Sequence, residues 1–283
     1  MAEVATSATP DQLLVVIDPV ARRTDGESVR IAKDVLGAGA RMKLCLPEGP
    51  EEFARALRRR GARRPVVVGD DRTLLRAVTV LHRQRELAAC ALSVVPVGPE
   101  LDLVRSLGVP AGAVAAARAA LDGTERRMDL LVDDSDGVVL GTVGIPPLDD
   151  AGPEASPAVP ARPWRRTCRS LVRTLTAARP ARPVPLAGPG PSRLRVEVDG
   201  QTLVDLDQPV AGVSLTPGDA GLAEVVVRPV SVGAEASPLT AAGRTVTVSG
   251  AHFRYRADAV VSGPVGTRTW VVREGAWGLR LPD

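Results

Sequence analysis

An N-terminal α/β domain with a mainly parallel sheet, followed by a β-rich sandwich domain, is the architecture this sequence predicts. Three observations predict it. Compact β-branched runs alternate with helical patterns up to Gly123, many short strand patterns with turn signals fill the chain from Arg193 onward, and a segment rich in Pro, Ala and Arg, 146–191, interrupts the second part. The expected division is 1–124 and 125–283. The 283 residues, 45% hydrophobic and 24% charged, suffice for a sizeable core and fall outside the composition of a disordered chain.

The first strand is the apolar run 13–18, and residues 27–37 behind it carry apolar side chains at helical spacing. A second unit pairs a strand at 42–46 with a helix at 50–61, Pro50 marking its start and Gly61 its end. The third has a strand at 65–70, a helix at 73–89 and a further strand at 91–98. Strands alternating with helices in this way favour a parallel sheet covered on both faces, whose ligands bind in loops at the carboxyl ends of the strands. Those loops follow Ile17, Val68 and Val95. Two helical stretches, Glu100 to Leu107 and Ala111 to Leu121, close the first domain. Beyond Arg126, 127–134 and 137–145 read as an antiparallel pair.

Composition narrows the function. The formal charge of +3 and the 2% aromatic content argue against a nucleic-acid partner, which would want a strong basic bias or stacking platforms. Cys45, Cys90 and Cys168 are isolated, so neither a disulfide framework nor a Cys-x-x-Cys metal site is expected, and a cytoplasmic location is. No secretion signal or membrane span is read. His82 and His252 have no companion at metal-ligand spacing, and no GxSxG or Walker loop occurs.

The loops carry a resemblance. Gly69-Asp70-Asp71-Arg72-Thr73 follows a strand, and Pro96-Val97-Gly98-Pro99-Glu100-Leu101-Asp102-Leu103-Val104-Arg105 follows the next. Together with SLGVP, ALDGTERRMDLL, VEVDGQTL and PGDAGLAEVVVRP, in order, they resemble the diacylglycerol kinase catalytic domain and bacterial lipid kinase family, related in fold to NAD kinases. The corresponding family loops are Gly-Gly-Asp-Gly-Thr and Pro-Leu-Gly-Thr-Gly-Asn-Asp-Phe-Ala-Arg. The resemblance implies ATP and Mg²⁺ as cofactors and transfer of the γ-phosphoryl group to a lipid hydroxyl. It also implies that Gly69, Asp71 and Thr73 hold the nucleotide and that Gly98 shapes the second loop. Asp71 and Asp102 would serve the metal, and Asp102 would be the catalytic residue. NAD kinase-like phosphorylation of a nucleotide is a further alternative. On the residues alone, Gly69 and Gly98 also read as turns, Thr73 as a helix cap, and Asp102 as a first-turn acid.

The departures define a divergent member. A phosphate cradle needs consecutive N–H groups and glycines that admit the backbone closely, and two of three loop glycines are replaced. Arg72 in a left-handed position would cost about 1–2 kcal/mol. The Asp70 carboxylate at about 4 Å from a phosphate charge would oppose binding by roughly 4 kcal/mol at a surface cleft. Arg72 could offset this by pairing with Asp70 or with a phosphate. In ADAVVSG, 257–263, Val260 stands where the family's Asp-Gly-Glu motif has a glutamate thought to deprotonate the lipid. General-base loss typically costs about 100- to 10,000-fold in rate. The expectation therefore divides between a lipid kinase and a catalytically impaired relative that binds a lipid or small-molecule ligand.

One segment stands apart in charge. From Ala155 to Val196 there are nine arginines and no acid, and 164–178 places Trp164, Cys168, Leu171, Val172 and Leu175 on one helical face. It reads either as a peripheral contact with anionic membrane or as a solvated Arg-biased helix.

Overall fold

The computed structural model describes residues 12–147, 192–218, 220–230 and 237–283. The expected basic helix at 164–178, with Cys168, and the insertion beyond residue 147 lie outside the described residues.

The strands β1 (Gln12–Ile17), β3 (Arg64–Gly69) and β4 (Ala91–Pro96) are buried over five consecutive positions each. A strand is buried on both faces only when something packs on both sides of its sheet. With β2 (Arg41–Cys45) at the edge the order is β4-β3-β1-β2, and β1–β2, β1–β3 and β3–β4 are parallel pairs. Helix α2 (Gly26–Gly39) packs with α6 (Ala113–Asp122), and α3 (Pro50–Arg58) with α4 (Asp71–Arg83). Strand alternation in β2 separates the two layers: Met42 meets α2 at Gly37, whereas Lys43 and Cys45 face α3.

Two local readings change. The loop expected after Ile17 is the short helix α1 (Pro19–Thr24), because Pro19 suits a first helical position and the Asp18 carboxylate accepts the Val20 N–H at 2.7 Å. The helix expected over 73–89 stops at Arg83, and Arg85 takes a left-handed φ of 58° that helical continuation cannot accommodate. Only a single 3₁₀ turn, Leu87–Ala89, follows.

The second half is built of β5 (Thr124–Asp133), β6 (Val138–Val139), β7 (Val143–Ile145), β8 (Ser192–Val198), β9 (Gln201–Val204), β10 (Pro209–Pro217), β11 (Ala223–Pro229), β12 (Leu239–Gly243), β13 (Thr245–Ala257) and β14 (Val260–Leu281). β5 and β6 form the expected antiparallel pair, but the run that was to continue β6 breaks, and β7 pairs with β10 and β13 instead. The short strands expected near the C-terminus are two long ones, of 13 and 22 residues. β14 runs so far because it changes partner: antiparallel to β13 as far as Val271, antiparallel to β5 from Trp270, and parallel to β4 at Gly278 and Leu279.

That strand also joins the cores. The cluster around β1, β3 and β4 takes in Leu130, Trp277, Leu279 and Leu281, so packing of the α/β half draws on residues well past 124. A second cluster holds Val196, Val213, Val246 and Trp270, with Trp270 edge-on to Tyr255 at 5.3 Å between ring centroids.

A surface pair in this half sets an acid response. Asp205 takes a bidentate grip from Arg195 at 3.0 and 2.8 Å, and that hydrogen bonding brings its carboxyl from 3.8 down to about 2. A carboxyl lowered on folding adds stability above its unfolded value, and the contribution is lost as pH falls through the folded one. Asp205→Asn is therefore expected to flatten the loss of stability between about pH 4 and pH 2, measured by urea unfolding across that range. An unchanged acid limb would contradict it.

Candidate functional site

Strand β3 ends at Gly69 and α4 begins directly behind it, so the turn between them decides what the helix N-terminus can hold. Two of its first N–H groups are met within the protein, that of Asp71 by Glu100 O and that of Thr73 by Asp70. The Asp70 carboxylate accepts the Thr73 N–H at 3.1 Å and the Thr73 hydroxyl at 3.0 Å, capping the helix. Thr73 is 1% exposed. A Cβ on Gly69 would lie 2.4 Å from the Thr73 hydroxyl oxygen, so glycine here lets the helix close on the strand.

The second loop is pressed against the first. Val97 donates its N–H to Gly69 O and Asp71 donates to Glu100 O, at 3.0 and 2.9 Å. Gly98 has φ +144°, and a Cβ there would come within 2.9 Å of the Asp70 Cβ. The Asp71 carboxylate crosses to α5 (Asp102–Ser106), which has no side-chain cap of its own, and accepts N–H groups from Leu103 and Val104, both at 2.9 Å. Burial raises its pKa, the two N–H groups oppose this, and Asp102 and Asp70 push the same way as burial.

Arg72 departs from expectation twice. It lies inside α4 without a positive φ, so the left-handed strain does not arise. Its guanidinium grips Glu100 bidentately at 3.0 and 2.8 Å, in place of Asp70. Asp102 opens α5 with its carboxylate fully exposed, 3.5 Å from Arg105.

Across the gap, β13 and β14 meet in a hairpin whose turn is Asp258-Ala259. Asp258, at φ +49°, turns a half-buried carboxylate onto the backbone that follows β6, accepting from Leu140, Gly141 and Thr142 at 2.8, 2.8 and 2.9 Å. Burial raises its pKa, against the pull of those three N–H groups, and Asp71 adds repulsion. Val260 is half-exposed, opposite Ala257. Sequence reasoning passed over Asp258 itself; the available signal was an acid in a two-residue break between strand patterns.

Between these parts lies a cleft of about 440 Å³. Asp71 and Asp102 both line it, joined by Glu100, Asp258, Arg72 and Arg256, whereas Gly69, Thr73 and Gly98 do not. Acids outnumber cations on these walls, and Arg72 is already spent on Glu100. No group of three or more His, Cys, Asp or Glu suited to a metal ion occurs among the described residues. His82 is occupied with Asp136 at 2.9 Å. No helix among the described residues is long and apolar enough to cross a membrane.

A parallel βα sheet whose loops face a β-rich half across a cleft defines the class, a two-part α/β and β protein. Residues 12–132 match the family model described as the diacylglycerol kinase catalytic domain. No curated protein matches the chain by sequence. Solved structures share the fold at low identity. One from Bacillus anthracis str. Sterne, described as a diacylglycerol kinase, is 13% identical, with a TM-score of 0.69 over 98% of each chain. Two more from that organism, with the same assignment marked as provisional, are 12% and 13% identical at a TM-score of 0.69. They cover 98% and 97% of this chain, and it covers 99% and 98% of theirs.

Proposed function

We propose that this diacylglycerol kinase-like chain does not transfer phosphoryl groups from ATP, and that its cleft binds a lipid or another small molecule. One observation carries the reading: the Asp70 carboxylate occupies the N-terminus of α4, where the family loop would receive phosphate oxygens. An anion arriving there would displace a cap worth about 1 kcal/mol and meet a like charge in its place. Thr73 is committed to Asp70, Asp70 fills the space beside Gly98, and both Asp71 oxygens accept N–H groups of α5. These residues do not fit a Mg²⁺-bound triphosphate. Val260 has no proton-accepting atom to activate a lipid hydroxyl. In this reading Asp71 and Asp102 are cleft walls, and the basic segment 164–178 is the peripheral contact with an anionic membrane.

Two measurements test it. Mg-ATP at millimolar concentration is expected to leave the unfolding temperature unchanged, since a ligand that does not bind the native state adds no stability. Radiolabelled ATP with mixed diacylglycerols and sphingoid bases is expected to give no labelled lipid. Label that appears with the wild type and disappears in Asp102→Ala would overturn the proposal in favour of a working lipid kinase.

A further inference from the structure

The outer edge of the sheet, away from the cleft, holds a second concavity. Residues of β2, the loop after it and α3 enclose a groove of about 270 Å³. Strand alternation puts Lys43 and Cys45 on its floor. On α3 and at its C-cap, Glu52, Arg55, Ala56 and Arg59 stand at i, i+3, i+4 and i+7, one stripe facing that floor.

The charges in this groove are out of balance. Lys43, Arg55 and Arg59 form no ion pair among the described residues. The one carboxylate present, Glu52, accepts the Glu48 N–H at 2.9 Å and does not neutralise the arginines. An excess of arginine in the chain does not account for this, because neighbouring arginines do find acids: Arg22 meets Glu48 at 3.2 Å and Arg60 meets Glu86 at 2.8 Å. Three cations around so small a volume repel one another, and an anion seated among them removes that repulsion. Guanidinium forks match the oxygens of phosphate, and a lysine adds a point charge.

We propose that the groove between β2 and α3 is an anion site for a phosphate monoester, held by Arg55 and Arg59 with Lys43 beneath. Three cations against one carboxylate match a dianion better than a monoanionic diester. Leu46, Pro47 and Ala56 supply apolar contact for the carbon attached to the phosphate. The ester is soluble or carried on a lipid headgroup, and the chemistry of recognition is the same. The site is separate from the cleft and stands whether or not the cleft binds nucleotide.

The test uses the full chain and three probes: inorganic phosphate, glycerol 3-phosphate, and phosphatidylcholine vesicles with or without phosphatidate. Titration calorimetry reads the soluble probes and flotation reads the vesicles. The double variant Arg55→Ser with Arg59→Ser changes exposed side chains. Arg118→Ser, on the helix that packs with α2, controls for lost charge elsewhere. Binding is expected to weaken at least tenfold in the double variant, to stay within twofold in the control, and to decline with salt. A response to the soluble esters identifies a soluble ligand; a response to phosphatidate vesicles alone, with the same loss in the double variant, identifies a headgroup. Wild-type indifference to all three probes, or a double variant that binds as well as wild type, overturns the proposal.

Discussion

Asp258→Ala is expected to destabilise the protein by about 2–3 kcal/mol, because its half-buried carboxylate is the acceptor for three backbone N–H groups, of which those of Leu140 and Gly141 are partly shielded from water while that of Thr142 is exposed. For a chain of this size that corresponds to a fall of about 4–10 °C in Tm. Asp258→Asn keeps one carbonyl oxygen as acceptor and tolerates the positive φ, so it is expected to cost less than half as much. Denaturant unfolding of the two variants checks the order, and equal losses, or a loss under about 1 kcal/mol for alanine, would count against the hydrogen-bond account. The pH response has a defined sign. Burial places the folded pKa of Asp258 above its unfolded value, so between the two the native state binds more protons. Its contribution to stability therefore grows as pH falls from neutral toward about 4, and Asp258→Asn is expected to lack that component.

Gly98→Ala is expected to cost about 2–4 kcal/mol, for two separable reasons. A φ of +144° suits glycine alone, and forcing a side chain there costs about 1–3 kcal/mol. The new Cβ would also press on the Asp70 Cβ at 2.9 Å. In Asp70→Gly the second cost vanishes and the first remains. A double-mutant cycle on unfolding free energies should therefore give a coupling of about 1 kcal/mol, whereas additivity within about 0.3 kcal/mol would show that the loops do not press on each other. The cycle probes the feature on which the functional reading rests, since the side chain that crowds Gly98 is the one that caps α4.

The parts of this protein legible in sequence are those dictated by neighbours along the chain. Val66, Val67 and Val68 form an unbroken apolar run and are fully buried, as a strand covered on both faces requires. Asp102 reads as a first-turn acid and opens α5. The reading failed where the partner is remote. Short strands are the expectation from Arg193 onward, yet pairing with three partners carries β14 through 22 residues. The sequence offers Arg72 a pairing with Asp70 or with a phosphate, and the loop folds so that Glu100, 28 residues on, reaches it first.

By itself the sequence determined the alternation of strand and helix, because side-chain periodicity is a local property that burial then enforces. It also determined that Asp70 and Arg72 stand where two loop glycines would be. Tertiary structure alone decided what the acids around the cleft do. Asp71 caps a helix 31 residues away because β3 and β4 are neighbours, and Asp258 secures a turn more than a hundred residues earlier because β13 returns beside β7. The physical reason is that a carboxylate withdrawn from water must find donors wherever packing brings them, and sequence separation does not constrain that choice.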